Sequence, residues 1–89
     1  MVAGGEGSFV IGEDGERYLD FSSQLVNTNL GHQHPAIIDA IVRQAQELAT
    51  IAPQHGVRAR YEAAEMILDR SFEGAAKVFF TNGGTEAVE

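Results

Sequence analysis

The sequence predicts an α/β fold, an α+β lead-in that runs into the first strand–turn–helix unit of a larger domain. Three observations predict it. Two short β-prone runs flank Asp14-Gly15, two stretches of helical period follow, and the apolar run Val78-Phe79-Phe80 passes through Gly83-Gly84 into Thr85-Glu86-Ala87. A hairpin, two amphipathic helices and an apolar strand are the parts from which a sheet covered by helices is assembled.

Residues 8–11 and 17–21 are the two runs, and Asp14-Gly15 between them supplies the positive φ of a tight hairpin turn. Residues 22–33 carry neither helical nor strand period and include Asn27, Asn29 and Gly31, so a long loop is expected; such loops in compact domains are commonly functional. Pro35 opens a helix, with Gln33 or His34 near its cap. Ile37, Ile38, Ile41, Ala45 and Leu48 recur at helical spacing, and Asp39, Arg43, Gln46 and Glu47 fall on other faces. Pro53 and Gly56 mark a connection. A second helix is expected over 57–72, with Tyr61, Ala64, Ile67 or Leu68, and Ser71 along one side. Val78–Phe80 then reads as a strand apolar on both faces, which needs sheet neighbours and covering helices. This organisation divides the chain into residues 1–56 (hairpin, loop and first helix) and 57–89 (second helix and the start of a larger domain).

Composition narrows the function classes. The chain has 89 residues, 44% of them hydrophobic, which is a globular composition. Thirteen acidic against six basic residues leave a net charge of −7. Nucleic acid is held through clustered Lys and Arg, and here the arginines are scattered, so no nucleic-acid partner is expected. There is no cysteine, which removes disulfides, thiolate catalysis and Cys-based zinc sites. Residues 1–6 carry no basic and apolar signal pattern. No apolar stretch approaches the roughly 20 residues of a bilayer span. A soluble, cytoplasmic protein without a membrane partner is expected.

The segment through Gly83-Gly84-Thr85 carries the most chemistry. The first N–H groups of a helix lack intrahelical partners and sit at the positive end of its dipole, and glycines let an anion approach them. Neither standard nucleotide fingerprint is present. An ordinary glycine turn with Asn82 or Thr85 as N-cap is the competing reading. His32 and His34 could form a metal pair, but histidines two apart chelate in extended structure and no third ligand accompanies them. Ring nitrogens serving as hydrogen-bond partners at a loop–helix junction is the other reading. Among the carboxylates, Asp20 and Asp39 included, no spacing singles out an acid–base pair.

Three segments, in order, resemble the N-terminal part of the class III aminotransferases, which depend on pyridoxal 5′-phosphate (PLP) and have the type I fold. Asp14-Gly15-Glu16-Arg17-Tyr18-Leu19-Asp20 is similar to the family's D-G-x-x-Y-[LI]-D hairpin. Asn29-Leu30-Gly31-His32-Gln33-His34-Pro35 is similar to N-x-G-H-x-H-P. Val78 to Glu89 resembles V-F-F-x-[NS]-S-G-[ST]-E-A-x-E, with Gly83 where serine is frequent.

The resemblance implies that Gly84 and Thr85 donate to the PLP phosphate and that Gly83 shapes the turn. It places Leu25 and Val26 among residues lining the substrate pocket, where a bulky aromatic is common at the second position. It implies an amine or amino acid and a 2-oxo acid as substrates, and a homodimer with active sites at the subunit interface. No catalytic residue is assigned: Lys77 is the only lysine and does not match the family's Schiff-base position. The chain is thus expected to be the N-terminal part of such an enzyme, truncated within its first phosphate-binding unit and inactive alone. Three readings rival it: a non-catalytic phosphate-binding module, a mutase, racemase or decarboxylase of the same fold, and a metal protein using His32 and His34.

Overall fold

Antiparallel pairing organises the first third of the chain. In the computed structural model, which describes residues 1–89, β1 (Val2–Glu6), β2 (Phe9–Gly12) and β3 (Arg17–Leu19) form a three-stranded sheet in the order β1-β2-β3. The β2–β3 hairpin is the one that Asp14-Gly15 predicts. Phe9 pairs with Leu19, Val10 with Tyr18 and Ile11 with Arg17. Gly15 adopts φ +83°, its N–H donates to the Gly12 carbonyl at 2.9 Å, and the Glu16 N–H donates to Asp14 Oδ1 at 3.1 Å.

The sequence reading missed β1, because Gly4-Gly5 is poor strand composition. Tertiary contact overrides that preference. A Cβ on Gly5 would lie 2.8 Å from the Cβ of His32, so only glycine lets the strand pass beneath that side chain. Between Val2 and Gly4 the register shifts by one residue, a bulge next to the chain start.

The expected long loop contains one turn of helix, α1 (Ser23–Val26), and that turn is left-handed. Downstream, α2 (Pro35–Glu47) begins at the predicted proline, with His34 as its N-cap. These elements lie in the first of two units, Met1–Thr50; the second is Ile51–Glu89.

In the second unit, α3 (Arg58–Leu68) is anchored to the connection before it by Arg60, whose Nη1 donates to the Pro53 carbonyl at 3.0 Å. It ends four residues before the expected Phe72. Its last carbonyls are taken by side chains: Arg70 Nη1 donates to Met66 O at 2.9 Å and Ser71 Oγ to Ile67 O at 2.7 Å. Gly74, at φ +93°, then turns the chain.

Val78–Phe80 does not form the expected strand. No segment pairs with it, and Phe79 is 89% exposed. An apolar run becomes a strand only through a ladder with a neighbour, and its own unit, Ile51–Glu89, contains no strand to supply one. The short helix α4 (Gly84–Val88) follows as predicted. No residue in either unit reaches the burial of a core position.

Candidate functional site

The residues with chemistry fall in two places, one in each unit. In the first unit, the link between the sheet and α1 is Asp20, which follows β3. Its side chain retains only 6% of its surface and three side chains converge on it. His32 Nε2 lies 2.7 Å from Oδ2, with Nε2–H as the donor that a carboxylate requires. Ser22 Oγ donates to Oδ1 at 3.1 Å and Gln24 Nε2 to Oδ2 at 3.2 Å. The His32 bond, helped by Gln24 and Ser22 and opposed by desolvation, lowers the pKa of Asp20 from 3.8 to about 2. Hydrogen bonds to the charged form favour that form.

His32 is itself fixed to the sheet. Its N–H donates to the Gly7 carbonyl at 2.7 Å, and its carbonyl accepts from the Gly7 N–H at 3.1 Å, an isolated antiparallel bridge. Gly31, at φ +85°, makes the approach possible, since a Cβ there would stand 3.0 Å from the Gly7 carbonyl oxygen. The two histidines differ in their surroundings. His32 serves as a hydrogen-bond partner at the loop–helix junction, while His34 caps α2 with its backbone and leaves Nδ1 without a partner. No group of three His, Cys, Asp or Glu side chains is placed to hold an ion.

Left-handed α1 is the strained element of this unit. Ser23, Gln24, Leu25 and Val26 have φ between +49° and +64°, where an L-residue costs roughly 1–2 kcal/mol relative to the right-handed form. Its closing bonds run from Val26 N–H to Ser22 O at 3.0 Å and from Asn27 N–H to Ser23 O at 2.9 Å. The turn carries Leu25 and Val26 outward, at 92% and 80% exposure. Beside it Gly7, Ser8, Asp20, Thr28, Asn29 and His32 line an open polar cleft of about 370 Å³. Strain of this kind collects at ligand-binding positions.

The second place is the start of α4. Gly83 is the N-cap, with extended φ of −151° and ψ of 160°, and no side chain caps the helix. Neither Asn82 nor Thr85 therefore takes the capping role of the ordinary-turn reading; Thr81 Oγ instead donates to the Gly83 carbonyl at 3.1 Å. The N–H groups of Gly84 and Thr85 have no intrahelical acceptor. A Cβ on Gly84 would meet no atom within 4 Å, whereas one on Gly83 would meet the Glu86 carboxylate at 2.6 Å. Two free donors, open space at Gly84 and a hydroxyl on Thr85 are a donor set that suits a phosphate.

The Asp20–His32 pair escaped the sequence reading. Twelve residues separate the partners, and no periodic pattern links a carboxylate ending a hairpin to an imidazole in a loop. The available signal was their joint presence in two of the three resembling segments.

Residues 1–89 match the family model described as Aminotransferase class-III. The acetylornithine aminotransferase of Caldanaerobacter subterraneus subsp. tengcongensis is 42% identical over 89 residues, covering 100% of this chain and 22% of that protein. The acetylornithine aminotransferase of Brucella melitensis biotype 1 is 39% identical over 85 residues, 96% of this chain and 21% of that protein. Among solved structures, taurine:2-oxoglutarate aminotransferase from Bifidobacterium kashiwanohense, in complex with PLP and glutamate, superposes with a TM-score of 0.91 at 38% identity, covering 98% of this chain and 20% of that one. The chain spans about a fifth of the length of these relatives. With a match that runs from its first residue to its last, the chain belongs to the class III aminotransferase family.

Proposed function

We propose that this chain is the N-terminal segment of a PLP-dependent aminotransferase, which transfers an amino group from an amine or amino acid to a 2-oxo acid. The 89 residues alone are inactive in this reading. The observation that carries it is the uncapped start of α4, where the N–H groups of Gly84 and Thr85 have no intrahelical acceptor, in a chain that matches the class III family from end to end. When bound, PLP supplies the electron sink needed to rearrange bonds at the amino-bearing carbon. Gly84 and Thr85 hold its phosphate and orient it, and Gly83 lets the backbone approach. Leu25 and Val26 offer apolar surface to the substrate. Relatives named for acetylornithine and taurine, one of them with glutamate bound, support an amino-compound donor. A homodimer and a cytoplasmic location belong to the same proposal. No helix is long and apolar enough to cross a membrane.

The test is turnover. The complete protein carrying this segment, mixed with PLP, an amino donor and 2-oxoglutarate, is expected to form glutamate, and the 89-residue chain to form none. Glutamate from the short chain sinks the inactivity claim. Phosphate-dependent stabilisation of the complete protein without any turnover of amino compounds favours the non-catalytic phosphate-binding module. Racemised, decarboxylated or rearranged product in place of glutamate favours the mutase, racemase or decarboxylase relatives.

A further inference from the structure

A left-handed turn of four L-residues does not hold itself. Its few backbone bonds would close equally well in the right-handed sense, which is the preferred one, so the hand of α1 has to come from outside the turn. The only side chain that bonds to the turn and also to another part of the unit is Asp20. It accepts from Ser22, which precedes the turn, from Gln24, the second residue of the turn, and from His32. His32 in turn is locked to the sheet by its two backbone bonds to Gly7 and packs over Gly5, where no side chain larger than hydrogen fits. A continuous path of hydrogen bonds therefore joins the sheet to the exposed Leu25 and Val26.

We infer that Asp20 and His32 are positioning residues: through Ser22 and Gln24 they hold α1 left-handed, and so set how Leu25 and Val26 meet the apolar part of an amino donor. The inference rests on the reading of Leu25 and Val26 as substrate-facing. Neither Asp20 nor His32 touches the reacting atoms in this account. Their removal changes the shape offered to the substrate and leaves the transfer chemistry in place.

The experiment uses the complete protein carrying this segment, as wild type, Asp20→Ala, Asp20→Asn and His32→Gln. Crystal structures report the φ values of residues 23–26, and kinetics report KM and kcat separately for two amino donors that differ in apolar length. In Asp20→Ala the turn is expected to leave the left-handed region or lose order, KM for the longer donor to rise about tenfold, and kcat to move far less, the pattern of lost ground-state binding. Asp20→Asn and His32→Gln keep one acceptor and one donor and are expected to recover part of the loss. If Asp20→Ala does not fold, the double variant Ser22→Ala/Gln24→Ala removes only the bonds on the turn side and is expected to behave in the same way. A turn that stays left-handed in these variants overturns the inference, as does a turn that changes while both donors keep their KM. Absence of transamination by the wild type overturns the functional reading beneath it, and the crystallographic φ values then decide the hold on the turn by themselves.

Discussion

At the scale of single residues, Asp20 makes an acid-sensitive element of the first unit. Its carboxyl titrates at about 2 in the fold against 3.8 in an unperturbed chain, chiefly because His32 donates to it. A group whose folded pKa is depressed contributes stability that is fully present above the unfolded value and is lost as pH falls through the folded value. The contribution of Asp20 is therefore complete above about pH 4 and disappears towards pH 2. Acid titration followed through the amide signals of Ser22 and Gln24 is expected to show a transition in that window, and Asp20→Asn to abolish it; a transition that survives the substitution assigns it to another carboxylate. At the other site, Thr85 combines a free N–H with a hydroxyl. Thr85→Val keeps the β-branch and the N–H but deletes the hydroxyl. Losing one hydrogen bond to a charged phosphate is worth about 1.5–3 kcal/mol, so PLP affinity of the complete protein is expected to fall by about tenfold or more. Unchanged affinity on equilibrium dialysis removes the hydroxyl from the phosphate site and leaves only the backbone contacts.

At the scale of elements, the joint between sheet and loop depends on two glycines close in space. Gly31→Ala forces a Cβ to within 3.0 Å of the Gly7 carbonyl oxygen at a φ of +85°. The left-handed conformation alone costs an L-residue about 1–2 kcal/mol, and the close approach adds to it. Hydrogen exchange at the Gly7 and His32 amides is expected to accelerate in Gly31→Ala, while Gly4→Ala, whose Cβ would meet nothing within 4 Å, is expected to leave it unchanged. Equal protection in both variants shows that the bridge does not depend on that contact. What could be read from sequence follows the same division between local and distant causes. The β2–β3 hairpin was legible because Asp14-Gly15 encodes its turn locally, and α2 because Pro35 and the apolar spacing do so over four turns. The strand β1 was not, since the reason for its glycines is His32, far along the chain. Nor was the hand of α1, because Ser23 to Val26 run against every local preference and are held by a carboxylate and an imidazole twelve residues apart. The Val78–Phe80 run was legible as apolar but not as a strand, since pairing belongs to the neighbour as much as to the segment. The helix start at Gly84 was legible, because glycines and a helix terminus are local chemistry.

At the scale of the whole molecule, exposed apolar surface governs behaviour. A folded monomer of 9.6 kDa exposes about 5,100 Å², and even two separate compact bodies of half that mass would expose only about 6,100 Å² together. This chain exposes 7871 Å². The excess therefore arises within the units, whichever way they meet. Large apolar side chains contribute to it: Ile41 on α2 is 59% exposed, Met66 on α3 61%, and Phe72 and Phe79 are 81% and 89% exposed. Exposed apolar surface favours association in water. Marginal stability of ordinary domains already leaves only about 0.05–0.15 kcal/mol per residue, and units without core positions fall at or below that range. The isolated 89-residue chain is accordingly expected to melt over a broad, weakly cooperative transition and to associate as concentration rises, with net charge −7 opposing association less as salt screens it. Sedimentation velocity across a hundredfold concentration range, at low and moderate salt, together with thermal melts by circular dichroism, reads both quantities. Larger species that increase with concentration and salt are the expected result. A monomer at every concentration with a sharp two-state melt would mean that packing within the units supplies a core these exposures do not reveal, and the account of the apolar faces as surfaces awaiting cover would have to be abandoned.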